Sequence, residues 1–87
     1  MIINLQKLLR LPVYTESGAK LGKIFDFEMD VDSQTVIRYF VRPILFSVKS
    51  FLIQNSQIKE IKDDKVVVYD SVVSDYLAKT SGVALEE

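Results

Sequence analysis

Cysteine and histidine are both missing from this 87-residue chain. The first absence removes any disulfide framework, thiolate nucleophile or thiolate metal site, as suits a reducing compartment. The second leaves acid–base catalysis near neutral pH to a carboxylate or lysine with a burial-shifted pKa. Glycine is scarce, at positions 18, 22 and 82, and glycines so far apart make neither a phosphate loop nor a dinucleotide fingerprint. Serine and threonine fall mainly in turns, with no Gly-x-Ser-x-Gly elbow. No apolar run approaches the roughly 20 residues of a membrane helix, and the N-terminus lacks the basic and apolar segments of an export signal. The 11 basic and 12 acidic residues leave a net charge of −1, which gives no general attraction for phosphate polymers or anionic lipid. These absences point away from an enzyme, and no catalytic, cofactor-binding or metal-binding residue is assigned. A soluble, cytoplasmic protein without a membrane insertion is expected.

A hydrophobic fraction of 48% with 26% charged residues is a globular balance. At this length residues 1–87 suit one domain, burying about 64% of the surface its unfolded chain exposes. Leu5, Leu8 and Leu9 suit one helical turn or an irregular lead-in. Pro12, lacking a ladder donor, should start a first strand running to Thr15, and Glu16 to Ala19 should turn the chain with Gly18 at positive φ. From Phe25 to Asp32 the residues alternate strictly, with Phe25, Phe27, Met29 and Val31 on one face and Asp26, Glu28, Asp30 and Asp32 on the other. Ile24 shares the parity of the acids, so a bulge near Ile24 and Phe25 is expected to turn both apolar sets inward. After a turn at Asp32 to Thr35, a third strand should present Ile37, Tyr39 and Val41 to the core. Apolar runs at Phe51 to Ile53, Ile58 to Ile61 and Val66 to Tyr69 supply further strands. Ile24, Phe27, Ile37 and Val67 are the expected core positions. Ser71 to Gly82 reads as a short helix that must dock on something to persist.

The stretch Leu11-Pro12-Val13-Tyr14, Glu16-Ser17-Gly18, Leu21-Gly22-Lys23-Ile24, Asp26 and Val36-Ile37 resembles the opening half of a PRC-barrel domain, and Phe51 to Ile61 resembles its second half. The resemblance spans about residues 5–70. It implies an all-β fold, a small barrel of about five to six short antiparallel strands, to which the residue pattern adds the short C-terminal helix at 71–82. It also implies a non-catalytic scaffold that binds a protein partner, since such barrels occur in the photosynthetic reaction-centre H subunit and the ribosome maturation factor.

Three clusters carry possible function. The acids Asp26 to Asp32 fail the calcium-loop pattern, because Thr35 stands where glycine is needed and Val41 where the bidentate glutamate belongs, so they are expected to be a solvated strand face. Arg38, Arg42 and Lys49, with Tyr39 and Phe40 nearby, could contact nucleic acid in an RNA- or ribosome-associated module, although three cations are few for a polyanion. The connection Pro43 to Ser50 carries Ile44, Leu45, Phe46 and Val48 without Gly, Asn or Asp. It either plugs one end of the barrel or joins Phe40 in an exposed patch for another protein or a second copy, giving a homodimer. Phe40, Ile44, Leu45, Phe46 and Val48 are therefore the candidate partner-binding residues; no cofactor is expected, and nucleic acid is the lesser alternative.

Overall fold

The computed structural model of the protein describes residues 1–43 and 50–72. The chain opens with a one-turn helix, α1 (Leu5–Leu8), whose Asn4 side chain accepts a 2.8 Å hydrogen bond from the Lys7 amide. That cap satisfies one of the amides a helix start leaves without a partner. Strands β1 (Pro12–Thr15), β2 (Lys20–Asp30), β3 (Thr35–Pro43) and β4 (Phe51–Gln54) follow, then a 3-10 turn (Asn55–Gln57), β5 (Ile58–Ile61) and β6 (Val66–Val68).

These strands form one six-stranded sheet in the order β4-β3-β2-β1-β6-β5. Five strand pairings make it: four are antiparallel and β1 with β6 is parallel. The expected all-antiparallel barrel is thus corrected on two counts: the sheet is mixed, and among the described residues its ladder is open, with β4 and β5 as edges. A parallel neighbour needs a crossover, and here all of β2 to β5 intervenes between the two strands. Pro12 sits where its missing amide costs least, at the first residue of β1, paired with Lys23 of β2 but outside the ladder to β6.

One core collects residues from most strands: Val13, Ile24, Tyr39, Val41, Ile53, Val66 and Val68, closed by Leu8, Leu11 and Val72. Thr15 is the buried polar residue among them, its hydroxyl engaged by the Ala19 amide at 3.0 Å and by Ser17 Oγ at 3.2 Å. Gly18, at φ +100°, makes the β1–β2 turn as the sequence indicates. Around it Glu16 accepts from the Asp70 amide, and Asp70 accepts from Ser17, fastening the turn to the chain leaving β6. Gly22 starts the hydrogen-bonded contact with Pro43, and a Cβ there would strike the Arg42 carbonyl oxygen and lie 2.8 Å from its carbon.

Two irregularities in the β2–β3 ladder decide which residues face inward. The register shifts between Ile24 and Asp26, so Phe25 is the extra residue of a bulge opposite Phe40. Ile24 is accordingly buried, as expected, while Phe25 leaves the inner face. A second shift, between Glu28 and Met29, makes Ile37 the extra residue on β3. Ile37 is therefore 36% exposed rather than core, and Val36 packs on the core instead. Phe27 is half-buried against the core, whereas Met29 and Val31 are exposed. On β6, Val66 and Val68 are buried and Val67 is only half so. Val72 is buried just after β6, and the remainder of the expected 71–82 helix lies outside the described residues.

Candidate functional site

Side chains alternate between faces along a strand, so residues 38, 40 and 42 of β3 share the face away from Tyr39 and Val41. Across the ladder, Arg42 is paired with Lys23, Phe40 with Asp26 and Leu52, and Arg38 with Glu28 and Gln54. The outer face of β2, β3 and β4 is consequently three rows deep. One end carries Lys23 and Arg42, the middle carries Phe25, Phe40 and Leu52 with Asp26 alongside, and the other end carries Glu28, Arg38 and Gln54.

The bulge supplies the aromatic centre. Phe25 meets Phe40 edge to face, ring centroids 6.3 Å apart at 63°, a favoured aromatic geometry. The Arg42 guanidinium lies 4.7 Å above the Phe25 ring, a cation–π contact. Both rings are half-buried, and Leu52 beside them is 41% exposed. At the far end Arg38 Nη1 donates to Glu28 Oε1 at 2.7 Å. Arg38 Nε is shielded from solvent and meets no acceptor.

The candidate residues thus divide. Phe40 and Arg42 share the outer face, joined by Phe25, Leu52 and Lys23, which the sequence reasoning left out. The phase conflict at Ile24 was the signal that could have found Phe25, since a bulge that turns Ile24 inward exposes its neighbour. Arg38 is on the same face but held by Glu28. Tyr39 points to the core, and burial pushes its phenol above the ordinary value of 10.0. Ile44, Leu45, Phe46, Val48 and Lys49 lie outside the described residues.

The acidic row is exposed, and three of its members have defined local partners. Asp26 accepts from the Phe27 amide at 2.8 Å, Glu28 holds Arg38, and Asp30 accepts from the Asp32 amide and from Ser33 Oγ to shape the β2–β3 turn. Among the described residues no group of three or more acids is placed to hold a metal ion, and no helix is long and apolar enough to cross a membrane. A depression of about 440 Å³ beside α1 is floored by Leu11 and Pro12 and rimmed by Lys7, Arg10 and Asp64. Its mixed charges and open shape select no ligand.

The family model of the PRC-barrel domain matches residues 2–72. That covers most of the chain, so the protein belongs to the PRC-barrel family. Comparison with curated proteins gives no match.

Proposed function

With a PRC-barrel scaffold as the premise, we propose that the protein is a non-catalytic adaptor that binds another protein through the outer face centred on Phe40. The observation that carries this reading is the band of Phe25, Phe40 and Leu52, an apolar stripe on a sheet face whose opposite side already forms the core. Of the three, Leu52 is exposed and the two rings are half-buried, and an apolar patch rimmed by polar groups is one mark of a protein contact. Ile44, Leu45, Phe46 and Val48, which follow β3 in sequence, are proposed as partner-binding residues on their apolar character alone. A cytoplasmic setting agrees with the absence of cysteine.

The RNA-associated alternative has less support. Of its three cations Arg38 is neutralised by Glu28, and the carboxylate of Asp26 stands in the adjacent row. One purification separates the readings: tagged protein is recovered from nuclease-treated lysate beside its Phe40→Glu variant. A stoichiometric protein retained by the first and lost by the second supports the adaptor. Co-purified material that absorbs as nucleic acid and is stripped by moderate salt supports the RNA reading and rejects the adaptor.

A further inference from the structure

A row of cations crosses the outer face of the sheet from β3 to β5. Arg42 is paired with Lys23, and Lys23 with Pro12. Lys65 precedes Val66 as Pro12 precedes Val13, and those two valines are parallel partners, so Lys65 continues the row on the β6 side. Lys62 completes it, its amide donating to the Lys65 carbonyl at 2.8 Å. Val66 and Ile61 pack inward, so alternation turns Lys65 and Lys62 outward. The Lys65 ammonium accordingly lies 5.6 Å from the centroid of the outward Tyr14 ring, as Arg42 lies over Phe25. Among the described residues the ion pairs are Arg38 with Glu28 and Lys59 with Glu16, so none of the four cations in the row is paired with a carboxylate. Exposed Lys7 and Arg10 line the depression beside the uncharged Pro12, where Asp64 is the acid among the lining residues.

We propose that the protein partner of this face presents an acidic segment, a short extended run rich in glutamate or aspartate that crosses the strands along Lys62, Lys65, Lys23 and Arg42 and ends in apolar side chains on the Phe25–Phe40–Leu52 band. This rests on the adaptor reading above and adds the partner's chemistry. Strands about 4.8 Å apart make a row across five of them about 19 Å long, and an extended chain rising about 3.3 Å per residue covers that length in about six residues. Asp26 and Glu60 stand one row away, opposite Phe40 and Val67, so the positive potential is confined to a stripe. A stripe one row wide fits a single extended chain better than the plane of an anionic membrane. Nucleic acid fits less well, because cations already lie against the Tyr14 and Phe25 rings on which bases would stack. Opposite potentials across a contact steer the encounter and reject wrong partners, so the stripe selects a partner of negative charge.

Fluorescence anisotropy of the full chain with a labelled probe peptide, a run of glutamates closed by leucines, tests it. The peptide should bind at low ionic strength and weaken about tenfold or more at ~0.15 M salt, where exposed charges are screened beyond about 8 Å. Lys23→Ala and Lys62→Ala should each weaken binding about threefold, and both together about tenfold, as exposed charge pairs of modest strength do. Lys59→Ala removes the same charge off the row, from a lysine held by Glu16, and should leave binding unchanged. Exchanging the peptide's glutamates for glutamines should abolish it. Thermal melts confirm that each variant is folded, since these lysines are exposed. A peptide that does not bind, an equal loss in Lys59→Ala, or an oligouridylate of the same length bound more tightly than the peptide would each overturn the proposal. If the peptide fails yet a protein partner is still lost in Phe40→Glu, the acidic segment falls and the adaptor reading stands.

Discussion

The two halves of the β2–β3 hairpin both carry large apolar side chains, and these meet opposite fates. At the base, Ile24 and Val41 are buried to 1% and 0% exposure; towards the tip, Met29, Val31 and Ile37 are 47%, 73% and 36% exposed. The difference lies in the neighbours. Residues 20–23 of β2 pair with β1, and residues 38–41 of β3 pair with β4, whereas the tip pairs only with itself. Alternation tells which residues share a face, and only a covering layer decides whether that face is buried.

The largest effect should come from the base. Gly22→Ala forces a methyl onto the Arg42 carbonyl where β2 and β3 meet, so it should cost about 4 kcal/mol or more and leave little folded protein. A thermal melt close to wild type would show that the two strands separate there without penalty. The direct comparison uses one residue type in both halves. Ile24→Ala should lower stability by about 2–5 kcal/mol and Ile37→Ala by less than about 1 kcal/mol, read from urea midpoints at constant slope. Equal losses would mean that the tip is covered.

A smaller effect tracks pH. Burial raises the Tyr39 phenol above 10.0, so the folded state holds this proton more tightly than the unfolded chain does. The resulting stability is complete below the unfolded value and is lost as pH rises through the folded one. Above pH about 10, wild type should therefore lose stability faster than Tyr39→Phe, which cannot ionise at this position. Parallel alkaline curves would remove burial as the cause. The smallest change belongs to the tip, where Gln34 sits at φ +56° in the β2–β3 turn. Gln34→Gly relieves this left-handed conformation and should raise stability by no more than about 1 kcal/mol. A clear loss would indicate that the glutamine side chain holds the turn.

Much of the sheet was legible because the signals were local. Pro12 set the start of β1, Gly18 the turn, and the phase conflict at Ile24 announced the bulge that the ladder contains. Ile37 was not legible: Ile37, Tyr39 and Val41 alternate without fault, and nothing in that stretch signals the second bulge. Val67 lies in an unbroken apolar run, Val66 to Tyr69, where parity has no contrast to reveal it. The parallel pairing of β1 with β6 joins residues more than fifty positions apart, beyond anything a turn signal encodes. Of the candidate site, Phe40 and Arg42 were readable from their shared parity. Phe25, Lys23 and Leu52 joined them only through cross-strand register, which a single strand's sequence does not contain.

The account turns on one local event, the bulge that sends Ile24 inward and Phe25 outward to build the band with Phe40. Thermal unfolding of Ile24→Asp beside Phe25→Asp tests it most directly, because a carboxylate is tolerated in water and costly in an apolar core. Ile24→Asp should be unfolded at room temperature, and Phe25→Asp should melt cooperatively with a modestly lowered midpoint. A folded Ile24→Asp beside an unfolded Phe25→Asp would place Phe25 in the core, and the outer face described above would lose its centre.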